Sequence, residues 1–230
     1  MKYLLFLTIT FLSIFSLKAQ VDENQTGAWY MYFYKHQFKN SQFGIQGDFQ
    51  YRDFQFLGDK EQLLLRSGLT FTPKDADVLF TLGVANITSG VFGDSDDTSN
   101  ENRIYQEALL PQKLGNRFFI THRFRFEQRF VESQDFRTRY RYNLFINVPF
   151  NSKSLSESKT LYGAFYNELF MNGERNIGDN RNIELFDRNR TYLGLGYVLN
   201  PNIKFQMGWM NQTNNNFSKA QLQFSMHHTF

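Results

Sequence analysis

No cysteine occurs in the chain, so disulfide staples and the lipid-bearing cysteine of a lipoprotein are both excluded. Charge of either sign is not in excess. The 25 basic and 22 acidic side chains leave +3, or +1 once Lys2 and Lys18 leave with the leader described below. That balance makes no electrostatic case for nucleic acid as a partner. Long apolar runs are also missing, apart from residues 3–17 (YLLFLTITFLSIFSL), and that run is shorter than the roughly twenty residues a membrane helix needs. It follows Met1 and Lys2 and precedes Lys18 and Ala19. Basic, then apolar, then small is the order of a secretory signal peptide, and cleavage is expected after Ala19. The expected mature chain is residues 20–230.

Aromatic residues are plentiful at 18 %, yet the mean hydropathy is negative. Both follow if alternate residues face two unlike surroundings. The alternation is plainest in residues 117–148. Phe118, Ile120, His122, Phe124 and Phe126 alternate with Thr121, Arg123, Arg125 and Glu127; after a short break, Thr138, Tyr140, Tyr142, Leu144, Ile146 and Val148 alternate with Arg137, Arg139, Arg141, Asn143 and Asn147. A period of two is a β-strand with one apolar and one polar face. A soluble sheet would not place arginine at nearly every position of its polar face, so that face is expected to line a wet or ion-paired lumen while the apolar face meets lipid. The expected fold is therefore all-β: an antiparallel, up-and-down transmembrane barrel in the outer membrane.

The same reading places strands at residues 27–36, 42–52, 62–72, 78–87, 103–110, 117–128, 137–148, 160–170, 184–199, 203–212 and 219–230. Pro73, Pro111, Pro149 and Pro201 fall in every other connection, as does Lys39-Asn40-Ser41. Proline ends strands because it cannot donate to a ladder. These connections are expected on the periplasmic rim, and the long polar stretches 89–101 and 172–182 on the other. Bacterial single-chain barrels are even-numbered, which makes 42–230 a wall of ten strands. The aromatic segment 27–36 is left over: against the wall, in the lumen, or paired upstream, within a total of ten to twelve strands. On the lipid face we expect Phe43, Phe49, Phe118, Phe124, Tyr140, Tyr142, Leu193, Leu195, Phe205, Trp209, Leu222 and Phe224.

The chain ends in KAQLQFSMHHTF, with Phe230 in register with Leu222, Phe224 and His228. A final aromatic of this kind resembles the terminal signature of outer-membrane barrels and names two partners, the barrel assembly machinery and outer-membrane lipid. Three further segments, GAWYMYF (27–33), EQLLLRSGLTF (61–71) and RNRTYLGLGY (188–197), together with Phe230, resemble an uncharacterised barrel family, domain of unknown function 2490. The resemblance implies a surface barrel and brings no active residues with it.

The sharpest enzyme hypothesis is an outer-membrane lipid hydrolase, which needs serine, histidine and an orienting group on the lipid side. His122 and His228 face outward in this register, with no outward serine beside them. Consecutive His227 and His228 point to opposite faces and cannot share an ion, and Asp94, Asp96 and Asp97 lack a calcium-cage spacing. No metal or other cofactor is expected. The candidate site is instead a lumen charge belt of Glu107, Arg123, Arg125, Glu127, Arg137, Arg139, Arg141 and Glu168. Pairing across the turn at 131–135 sets Glu127 opposite Arg137 or Arg139. Pairing across the next turn sets Glu168 opposite Arg139, and Glu107 lies near Arg123. Ten to twelve strands enclose a narrow lumen and not a general porin channel, and an anionic solute is expected at the like charges Arg125 and Arg141.

Overall fold

The computed structural model describes residues 26–230; the expected signal peptide, 1–19, lies outside the described residues. Eleven strands make up the described chain: β1 (Gly27–Gln37), β2 (Phe43–Asp53), β3 (Lys60–Phe71), β4 (Leu79–Gly90), β5 (Thr98–Leu114), β6 (Phe118–Val131), β7 (Arg137–Pro149), β8 (Thr160–Asn172), β9 (Phe186–Asn200), β10 (Ile203–Thr213) and β11 (Ser218–Thr229). Each pairs with its sequence neighbours, and β1 also pairs with β11, so the sheet closes into a barrel.

The alternation of residue types is what makes these segments strands and decides which way each side chain points. Along β4, Phe80, Leu82 and Val84 are exposed while Thr81, Ala85 and Ile87 are buried. Around the wall the outward set includes Phe43, Phe49, Phe118, Phe124, Tyr140, Leu193, Leu195, Phe205 and Trp209, all exposed; Tyr142, Leu222 and Phe224 are half-buried against outward neighbours. Aromatic pairs tie this surface together across strands, such as Phe124 with Tyr142 and Phe126 with Tyr140, each at 5.1 Å between ring centroids.

Strand parity departs from expectation. Residues of β1 are a full member of the wall, which is none of the three placements considered for them. The segment is antiparallel to β2 and parallel to β11, with Gly27 opposite Gln221 and Lys35 opposite Thr229. Eleven strands laid alternately up and down return the last one parallel to the first, so an odd wall closes only through a parallel seam. Because β1 bonds on both sides, no sheet edge remains. Its two aromatic faces are also explained: Tyr30 stacks outward on Phe224, while Trp29 is buried in the lumen.

The four prolines and Phe230 share one rim, and the connections 91–97 and 173–185 share the other. Two boundaries differ from the sequence reading. Much of 89–101 is strand, since β4 and β5 pair as far as Gly90 and Thr98. Pro111 lies inside β5, whose pairing with β4 stops at Leu109 while pairing with β6 continues to Leu114. Its missing N–H therefore falls where β5 has a free edge. The connection 150–159, on the proline rim, is not short either. Its Leu155 packs against the buried cluster of Trp29, Tyr162, Ala164, Tyr192, Val198 and Met210.

Candidate functional site

The lumen divides into two halves. Towards the long-loop rim it is filled by charged side chains carried on β5, β6, β7, β8 and the start of β9. Arg125, Glu127 and Arg129 alternate on one face of β6, while Arg137, Arg139 and Arg141 do so on β7, so strand periodicity alone stacks them in rows. Glu127 is almost wholly buried and is the centre of the set. It accepts from Arg139 Nη2 at 2.7 Å and Arg141 Nη1 at 2.6 Å, with Arg103 and Arg125 at 3.7 and 3.8 Å. Glu101 accepts from Arg103 and Arg129. Glu107 accepts from Arg125 at 2.5 Å, and Glu168 from Arg141 at 2.5 Å and Arg123 at 2.6 Å. Arg139 also reaches Asp187 at 2.9 Å. Buried charges survive only when paired and hydrogen-bonded, and charge-assisted bonds of this geometry are the strong kind. Phe170, itself buried, lies within 4.4–5.9 Å of the guanidinia of Arg139, Arg141, Arg188 and Arg190.

Seven of the eight expected belt residues meet in this network. Glu107 lies directly opposite Arg125 and 3.8 Å from Arg123; Glu127 lies opposite Arg139. Arg137 does not join. It faces Arg129 across the β6–β7 ladder, forms no ion pair among the described residues, and leaves its Nε without a partner. Glu168 is displaced from the expected position: it lies opposite Asn143, and Arg139 lies opposite Asn172. The cause is the stagger of β7 and β8, which pair from Pro149 and Tyr162 onward while 150–159 loops out over the rim. A shift of four residues keeps Glu168 on the lumen face and gives it to Arg141 and Arg123, leaving Asp187 as the second partner of Arg139. Sequence reasoning passed over Glu101, Arg103, Arg129 and Asp187. Glu101 sits in the stretch 89–101 that reads as loop and Arg103 opens the strand expected at 103–110, although Glu101-Asn102-Arg103 already shows the alternation.

The half towards the proline rim holds a cavity of about 460 Å³, running from Lys35, Asn202 and Thr229 at the rim to Arg52, Glu168 and Arg190. Its apolar wall is aromatic. The Tyr166 and Tyr192 rings stack at 4.9 Å, and glycine makes the room: a Cβ on Gly196 would stand 2.1 Å from Tyr162, and one on Gly194 2.2 Å from the Tyr192 hydroxyl. Across the lumen Asp48 binds Arg66 at 2.8 Å. A volume of this size is typical of small-molecule sites.

A family model described as "Protein of unknown function (DUF2490)" matches residues 26–223. The chain belongs to the DUF2490 family. None of the curated proteins and none of the solved structures compared matches it. In this DUF2490 barrel the quoted segments fall in β1, β3 and β9. The RNRTYLGLGY stretch carries the glycines that seat Tyr162 and Tyr192.

The histidines separate by face. His122 pairs with the Tyr142 hydroxyl at 2.8 Å and His228 with that of Tyr32 at 3.0 Å. His227 points into the lumen, stacks on Phe33 at 4.8 Å and lies 3.2 Å from Ser225 Oγ. A search confined to the outward face misses this Ser-x-His pair. It has no carboxylate within ion-pair distance among the described residues and is not an assembled triad. Asp94, Asp96 and Asp97 are exposed, and only Ser95 bonds within the run, to Asp97.

Proposed function

We propose that this protein is an integral outer-membrane β-barrel that is plugged, not open, and that its cavity binds a small solute entering from the periplasmic, proline-bearing rim. The observation that carries the reading is the inversion of a soluble barrel. Large apolar side chains cover the outside while arginine and glutamate fill the inside. A soluble monomer rarely exposes so continuous an apolar surface, whereas lipid requires it. The signal-peptide pattern at 1–19 supports export. The closing Phe230, whose N–H bonds to the Lys35 carbonyl at 2.9 Å, fits a terminal strand handed over by the assembly machinery. Lipid is the partner of the outward face.

The ion-pair network supports the plugged form, because moving an ion past it would require separating buried pairs, at several kcal/mol each. Planar-bilayer recording of the purified barrel tests this. The parent should show no stable step conductance, whereas Glu127→Gln combined with Arg139→Ala should show channel openings selective for anions. A parent that conducts steadily would overturn the plugged reading.

A further inference from the structure

We propose that the proline-rim cavity is a binding site for a small organic anion, a carboxylate or phosphate ester on an aromatic body, with Arg52 and Arg190 taking the charged head. This deepens the solute-binding reading above and rests on it. The lumen does not treat its arginines alike. Arg125 and Arg141 are committed to Glu107, Glu127 and Glu168. Arg52 and Arg190 are equally buried, at 6 % and 7 % exposure, yet neither has a carboxylate within 4.0 Å among the described residues. Arg52 donates only to Gln50 and Gln62, and Arg190 donates its Nε to Gln212. No described group accepts from the two Nη atoms of Arg190.

Both guanidinia lie over the same indole, Trp29, at 3.8 and 4.8 Å. The nearest acids stand off from them: Glu61 accepts from the Trp29 indole N–H at 3.3 Å, and Glu168, opposite Arg190 in the β8–β9 ladder, is bonded to Arg123 and Arg141. Two cations beside one aromatic ring with no carboxylate in direct contact leave room for an anionic partner. A second observation points to a missing ligand in the same cavity. Gln223 Nε2 and Asn143 Oδ1 are buried there without hydrogen-bond partners. Eight cationic side chains line the cavity against three carboxylates, with Lys35 and Lys204 at the mouth, a field that draws anions inward. The stacked Tyr166 and Tyr192 offer a flat surface to an aromatic body.

Trp29 reports on its own site, since the chain has two tryptophans and Trp209 is on the outside. The refolded Trp209→Phe barrel in neutral detergent would be titrated with benzoate, phenyl phosphate, benzyl alcohol and inorganic phosphate, following Trp29 emission. Saturable binding of benzoate or phenyl phosphate is expected, about tenfold or more tighter than the neutral alcohol or inorganic phosphate, and the better of the two identifies the head group. Arg190→Gln should weaken it by about tenfold while Arg190→Lys recovers part, both variants first being shown folded by heat-dependent gel mobility. No saturable response to either aromatic anion, equal affinity for the alcohol or for inorganic phosphate, or unchanged binding in folded Arg190→Gln would each overturn the proposal. Conductance of the parent would end the plugged reading and leave this binding result standing.

Discussion

Glu127 accepts from two arginines and lies within 4 Å of two more, so its loss strands more charge than the loss of any one of them. Glu127→Gln should destabilise the barrel by about 3–5 kcal/mol, as expected for breaking a buried pair from one side. Asp187→Asn should cost less, because Arg139 keeps Glu127 and Asp187 keeps some exposure. Urea unfolding in lipid vesicles measures both, and equal losses would show that Glu127 is not the centre. Adding Arg139→Met to Glu127→Gln should cost less than the two single changes summed. The Glu127–Arg139 pair was half legible in the sequence: a short hairpin at 132–136 leaves two registers of the same face open, and the ladder adopts one. The partnership of Glu168 was not, because it depends on how far 150–159 loops out, and hydrophobic periodicity carries no information about stagger.

Strand identity and facing were legible in nearly every element, since a one-residue slip would turn phenylalanine into the lumen and arginine outward. Phe124 tests that facing. Phe124→Arg should cost about 2–4 kcal/mol in lipid, and folding equal to the parent in an equilibrium urea titration would contradict the outward register. What periodicity could not convey was why glycine recurs in β9. Gly194 and Gly196 are lumen positions over which a tyrosine ring lies, Tyr192 of the same strand at the first and Tyr162 of β8 at the second, so the glycine is read only once its partner is known. Gly196→Ala puts a methyl group against the Tyr162 ring and should destabilise by about 1–3 kcal/mol through overpacking. Tyr162→Ala in the same chain should remove that clash, so the double variant should be no less stable than Tyr162→Ala alone in the same titration.

For the molecule as a whole, the even-number rule misled the reading of 27–36, and the odd closure it obscured has its own consequence. The ends of the described strands lie on opposite rims, Gly27 beside Asp53 and Phe230 beside Lys35. Every other wall contact joins neighbours in the chain and can form as a hairpin while the rest is still unplaced. The β1–β11 seam alone joins the first and last of the described strands, so it bears the largest loop-closure cost and is the slow step that contact order predicts. Until β11 arrives, β1 and β10 are both raw edges, and time spent waiting is time in which two unfinished copies can zip to each other. A chain stopped at residue 217 should therefore yield aggregates and not a ten-stranded barrel, visible as loss of the heat-modifiable band on a gel. Assembly of this barrel is thus a race whose finish lies in β11.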